Sequence, residues 1–179
     1  SFIEITGGFG FTVSSEMLLL NDAEEVNVDT LLIGATDLSA SVGLNPGSDD
    51  FIGFSVSGVS VALAILSDRD DTTRSWTSLQ LTADTVSFVG IDGVTISADT
   101  ISVAINTASS DTRLVDYASR GLEVKTGAAS SITLDMDGSR GELLEISGNL
   151  SINLYEFFII NGGFTFSKSS GSITLRNKE

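Results

Sequence analysis

The chain has 179 residues, a formal net charge of -15, and neither Cys nor His. That composition excludes disulfides, thiolate chemistry, Ser-His catalysis and the usual zinc sites, and its acidity repels nucleic acid and anionic membranes. With 41% apolar residues and a mean hydropathy of +0.27, it has the material for one ordinary core and is no disordered polar tail.

The opening stretch, "FIEITGGFGF" over 2–11, reads as a long strand in which the paired glycines mark a bend or bulge. It is not a phosphate loop, since no Lys-Ser/Thr ending or helix follows. "SSEMLLLNDAEE", from Ser14, is the segment nearest to a helix, but it too reads as strand. A short unit then recurs: "IGATDLSA" from Ile33, "FSVSGVSV" from Phe54, "LTADTVSF" from Leu81 and "ISADTISV" from Ile96, with looser copies from Val124 and Ile146. In the third copy Leu79, Leu81 and Ala83 alternate with polar residues, then Val86 and Phe88 alternate one residue out of phase. A slip of one residue turns apolar side chains to the wrong face unless the backbone bends there. Asp84-Thr85 therefore reads as a corner, and Thr36-Asp37, Ser57-Gly58 and Asp99-Thr100 are its equivalents. Ser39, Ser60, Ser87, Ser102, Thr133 and Ser151 follow the central apolar residue of each unit and form a Ser/Thr column.

Trp76 starts a strand and is expected to be packed. "VGIDGV" reads as a hairpin turn with Gly93 in the left-handed region, placing Val86 opposite Ile96 and Leu81 opposite Ile101. "FSKSSGSIT" near the end looks like another hairpin. The polar loops "NPGSDD", "SDRDDTTR", "NTASSDTR" and "DMDGSRGE" are expected on one side of the repeat units. Asp135, Asp137 and Glu142, in the last of these, offer hard oxygen ligands and are the candidate calcium ligands. Asp68, Asp70 and Asp71, and Asp49-Asp50, read as solvated loops. No carboxylate pair sits in a recognisable catalytic pocket and no basic residues cluster locally, so no enzyme is expected.

A longer recurrence frames all of this. Residues 2–11 match 157–166, "FFIINGGFTF", and the match extends to Leu20 against Leu175 and Glu24 against Glu179, at a constant offset of 155. Residues 1–155 read as one full structural repeat and 156–179 as the start of the next, equivalent to 1–24. The chain opens on Ser1 with no charged segment ahead of an apolar run, which reads as a fragment or a processed chain. The run 157–160 is too short to span a bilayer, so no membrane insertion is expected.

The fold expected is all-β and elongated. A parallel β-solenoid is favoured by the same-direction Ser/Thr column, and an antiparallel meander or sandwich is the alternative. "VNVDTLLIGATDLSASVG", "GIDGVTISADTISVAIN", "VDYASRGLEVKTG" and "SSITLDMDGSRGELLEISGNLSINLYEFFIINGGFTFSKS" resemble a long repeat of giant bacterial proteins. Those proteins are secreted or surface-attached and often carry calcium-binding or cadherin-like modules. The resemblance implies an extracellular or cell-surface structural array and carries over no catalytic residues. The expected function is thus a structural repeat of a giant extracellular fibre or adhesin-like protein. Its partners would be neighbouring repeats, stacked through Phe2, Ile5, Phe9 and Phe11 at one end and Phe157, Ile160, Phe164 and Phe166 at the other. A calcium-dependent adhesin or ligand-binding module is the alternative. No cofactor is expected, with calcium as the one candidate ion.

Overall fold

The computed structural model describes residues 2–169, and within them the chain is all-β. The strands are β1 (Ile3–Leu19), β2 (Glu25–Leu44), β3 (Ile52–Asp68), β4 (Ser75–Val89), β5 (Val94–Asn106), β6 (Leu122–Lys125), β7 (Ser131–Leu134), β8 (Leu143–Leu154) and β9 (Phe158–Ser169). Seven form one sheet in the order β1-β2-β3-β4-β5-β8-β9, and β6-β7 is a separate hairpin. All pairings of the large sheet are antiparallel.

This corrects the favoured parallel solenoid: the architecture is the antiparallel meander. The reason lies in connection length. Chain ends separated by tight loops can only reverse, whereas parallel pairing needs a long crossover. The single long connection, 107–142, also returns the chain antiparallel. The Ser/Thr column falls apart accordingly. Ser87 and Ser151 lie in one cross-strand row, Ser60 and Ser102 in another, Ser39 faces Thr6, and Thr133 sits in the small hairpin opposite Glu123. The polar loops likewise do not share one side, because a meander puts successive turns at opposite ends. The hairpin at Gly93 does form, with Gly93 at φ 76. Its register is shifted, pairing Val86 with Ala98 and Phe88 with Ile96. "FSKSSGSIT" and the matches of Leu20 and Glu24 extend outside the described residues.

The phase slip in the sequence marks a line of extra residues across β2 to β5. Asp37 has φ 52, Gly58 φ 62 and Thr100 φ 52. Register shifts appear where this group meets strands lacking the extra residue, between Thr6 and Gly8 and between Asp99 and Ser102, and also within it between β2 and β3, on either side of Leu38. The expected corners are therefore bulges. Strand β8 pairs with β9 without a shift, so Ile146, Leu150 and Ile152 stay on one face by simple alternation. The cross-strand rows Ile3-Val42-Phe54-Phe88-Ile96-Ile152-Ile160 and Phe9-Ala35-Val61-Leu81-Val103-Ile146-Phe166 lie on that same face, on either side of the bulges. The Phe54 and Phe88 rings confirm it, with centroids 5.1 Å apart.

The core sits on the other face, at one end of the sheet. There Leu18, Val26, Val28, Leu32, Ala62, Ala64, Leu66 and Trp76 pack under Val115, Tyr117, Leu122, Val124, Leu134 and Met136. The residues after 106 thus fold back as a cover. A bridge from Leu20 to Val115 and the bonds of Asn21 N to Leu114 O and Asp116 N to Leu19 O fasten it to β1. The cover lies very close: a Cβ on Gly34 would come within 2.3 Å of Lys125 O, and one on Gly10 within 2.1 Å. Beyond the cover, this face carries a ladder of small polar residues, Ser41-Ser55-Ser87-Ser97-Ser151. Ser55 and Ser87 share a hydrogen bond of 2.9 Å.

Candidate functional site

The candidate calcium ligands do not converge. Asp135 Oδ1 accepts from Gln80 Nε2 at 2.8 Å. Asp137 caps the 3-10 turn Gly138–Arg140, accepting from the Ser139 hydroxyl and backbone N–H. Those two bonds, the hydroxyl first, hold its carboxyl below the usual range. Glu142 Oε1 accepts from Ala108 N at 3.2 Å. Among the described residues no group of three or more His, Cys, Asp or Glu is placed to hold a metal ion.

A different ionic cluster does form, and it joins residues distant in sequence. Arg74 Nη1 lies 3.1 Å from both Glu24 Oε1 and Asp68 Oδ2, and its Nε lies 3.2 Å from Asp111 Oδ2. Arg113 bridges Asp22 and Glu24. The Ser109 hydroxyl, ahead of other causes, holds the Asp111 carboxyl below its ordinary range. Arg74 also stacks 5.4 Å from the centre of the buried Trp76 ring, whose Nε1 donates to Arg113 O at 2.9 Å. Trp76 is packed, as expected. The cluster ties the β1-β2 turn, the β3-β4 loop and the cover into one unit. Of the acidic "SDRDDTTR" loop, Asp68 and Arg74 are thus part of the fold, while Asp70 and Asp71 are exposed, as a solvated loop would have them. No local motif predicts this, because its partners are drawn from three separated segments.

What remains for function is the sheet itself, its edges and its open face. β1 and β9 are the two edge strands. The expected interface residues lie on or beside them: Ile5, Phe9 and Phe11 in β1, Ile160, Phe164 and Phe166 in β9, with Phe2 and Phe157 just ahead of each. The six within the strands occupy the apolar face. The four at Phe9, Phe11, Phe164 and Phe166 are between 40% and 70% exposed and are not part of the core. The core needs a layer above it, and the cover lies on the opposite face. The paired glycines do mark a bulge in β1, where the register shifts between Thr6 and Gly8, whereas Gly162 and Gly163 in β9 run through without one.

The open face is apolar from edge to edge. In the rows through Ile3, Ile5, Phe9 and Phe11 the single charged residue is Lys168, at the β9 edge. Phe54, Val42 and Ile65 are 51%, 50% and 43% exposed on it. Soluble chains rarely expose an apolar patch beyond a few hundred Å², and this one spans seven strands. No protein-family model, curated protein sequence or solved structure matches the chain.

Proposed function

We propose that this chain is a structural repeat of a giant extracellular or cell-surface protein, and that its sheet continues strand by strand into the neighbouring repeats. The supporting observation is the equivalence of β1 and β9. The 155-residue offset maps Ile3 onto Phe158 and Ser14 onto Ser169, the first and last residues of β9. The two strands stand at opposite edges of one sheet. Six antiparallel steps separate them, so they also run in the same direction. β9 is therefore the β1 of the next repeat, already paired on its near side.

Continuation follows the observed registers. The far edge of β9 accepts a strand equivalent to β2, in the register that pairs Ile3 with Val42 and Thr12 with Leu32. The far edge of β1 accepts a strand equivalent to β8, as Leu154 pairs with Phe158. A sheet edge presents a row of backbone donors and acceptors, which natural sheets cover or pair. Stacking is thus lateral, through hydrogen bonds, and not through the end-on burial of phenylalanines expected from the solenoid. The recurrence is not perfect: Thr165 stands where β1 has Gly10, and Lys168 where it has Val13. The calcium-dependent alternative gains no support from the placement of Asp135, Asp137 and Glu142.

Each repeat would add six strands, or roughly 29 Å along the sheet at ~4.8 Å per strand. The test is a chain in which 1–155 is duplicated ahead of 156–179. Small-angle scattering should show a rigid particle longer by about that amount. Two bodies joined flexibly, with no fixed increment, would overturn the array.

A further inference from the structure

We infer that the apolar face of the sheet is the contact surface for a second copy of this chain, packed face to face as the other half of a β-sandwich. The inference rests on the array reading, and three observations carry it.

The first is that the described residues supply no layer over this face. Its one long connection, 107–142, packs Val115, Tyr117, Leu122, Val124, Leu134 and Met136 on the opposite face, where every member of the buried cluster sits. The second is area. Seven strands, with β8 and β9 of 12 residues each, make a surface of roughly 34 by 40 Å. Pairing two such faces removes on the order of 2,600 Å² from water, within the range of obligate homodimers. The third is charge. The chain carries -15, yet its carboxylates lie on loops, on the covered face and at the bulge line, apart from Glu25 and Asp29 at the end of β2. Asp29, at the rim of the open face, is paired with Arg69 at 3.3 Å. Two copies can meet here without bringing like charges together.

Periodicity selects the occupant. If the sheet continues through β9, the apolar face recurs with every repeat and becomes a continuous ribbon. A partner that covers it must recur at the same interval. A second copy of the same repeat does so by construction, and its face is matched in chemistry to the first. Aligned sheets packed about 10 Å apart are the ordinary solution for two such faces.

The experiment uses the chain 1–179 and exploits positions that are exposed in a single copy. Phe54 and Ile65 are 51% and 43% exposed, so Phe54→Lys and Ile65→Lys place charge inside the paired face, the first at the cost of the Phe54–Phe88 ring contact and the second without that loss. Sedimentation equilibrium should give a dimer of the 18.7 kDa chain. Each substitution should weaken it at least ~100-fold, and Ser87→Lys, on the opposite face, should not. Circular dichroism checks that every variant is folded. Because the chain has no Cys, Ile65→Cys and Ser87→Cys can each carry a spin label. The label at 65 should be shielded from a water-soluble relaxing agent and the label at 87 should not.

A monomer whose label at 65 is open to water would overturn the inference. So would a monomer that instead takes up detergent or acyl chains on this face, which would make it a lipid-binding surface. A dimer indifferent to both lysines but broken by changes at the β1 or β9 edge would overturn it as well. The array stands or falls separately, on the length increment of the duplicated chain.

Discussion

Tyr117 donates its phenol hydrogen to Ser78 Oγ at 2.9 Å, joining the cover to the middle of the sheet across 39 residues of sequence. Ser78 in turn donates to Asn106 Oδ1, and Asn106 Nδ2 donates to Val115 O, both at 3.0 Å. All three side chains are buried. The chain of bonds is satisfied at each link, so the cover is fixed in one position rather than merely collapsed onto an apolar surface. Tyr117→Phe removes the donor and leaves the buried Ser78 Oγ with nothing to accept from. The expected cost is about 1–2 kcal/mol, read as a lower urea midpoint with an unchanged slope.

The same tyrosine sets an alkaline limit. Burial, opposed by the bond to Ser78, raises its pKa well above the ordinary phenol value of 10.0. A raised folded-state pKa contributes stability that is fully present below the unfolded value. The contribution falls away as pH rises past that value, since the unfolded chain ionises and the folded chain does not. Stability should therefore decline above about pH 10, and Tyr117→Phe should flatten that part of the decline. Urea melts of both proteins between pH 8 and 11 compare them directly.

Arg74 is the hinge of the ionic cluster. Its side chain is 11% exposed and that of Asp68 only 4%, and Asp68 also accepts from the backbone N–H groups of Asp70 and Asp71. Arg74→Met keeps the volume over Trp76 but strands a buried carboxylate. The expected loss is about 3–5 kcal/mol, partly recovered in the double variant with Asp68→Asn. An additive double variant in denaturant melts would show that the two residues act apart.

Much of the fold was legible. The period-two runs are strands, the phase slips at Asp37, Gly58 and Thr100 are bulges, and Trp76 is packed. The slip could be interpreted because sheet alternation is strict: apolar residues stay on one face only if the backbone takes up the odd residue. Strand direction was not legible. Repeated phrases look alike whether their strands run parallel or antiparallel, and side chains alternate with the same period in both. The one-sided cover was also hidden. Nothing local distinguishes the buried run Val26, Val28, Leu32 from the open run Val61, Leu63, Ile65, because both are simply apolar on alternate residues. Which run is covered depends on where residues 107–142 return, a property of the whole chain. The ionic cluster escaped for the same reason, while the β1-β9 equivalence was visible because it is written in the sequence itself.

Gly34, in β2, lies directly beneath the backbone of the cover. Its added Cβ would lie 2.3 Å from Lys125 O and 2.8 Å from Lys125 C, both backbone atoms that cannot rotate aside. Gly34→Ala should push β6 off the sheet and cost about 1–3 kcal/mol. Gly162→Ala, where nothing lies within 4 Å, is the control and should be near neutral. Hydrogen exchange should show faster exchange at Leu122–Lys125 and Ser131–Leu134 in the first variant only. Unchanged protection there would mean that the hairpin does not rest on Gly34.

Thr100 tests the bulge line. It holds φ 52, while Gly58, at the same line two strands away, holds φ 62. A β-branched residue in the left-handed region is strained by its own Cβ and by both of its Cγ-position atoms. Thr100 recovers part of this through a 2.9 Å hydrogen bond from its hydroxyl to Asp99 Oδ1. That carboxyl accepts a second bond, from Asn149 Nδ2 at 2.8 Å, and the two bonds, the amide first, hold its pKa below the ordinary 3.8. Thr100→Gly removes the strain and keeps the stronger of the two bonds. The protein should gain about 0.5–1 kcal/mol, seen as a higher thermal midpoint. Thr100→Val keeps the strain and loses the hydroxyl, and should be less stable than the parent. If glycine destabilised the chain as much as valine, the backbone at this line would be held by the Thr100 hydroxyl and not opposed by its side chain.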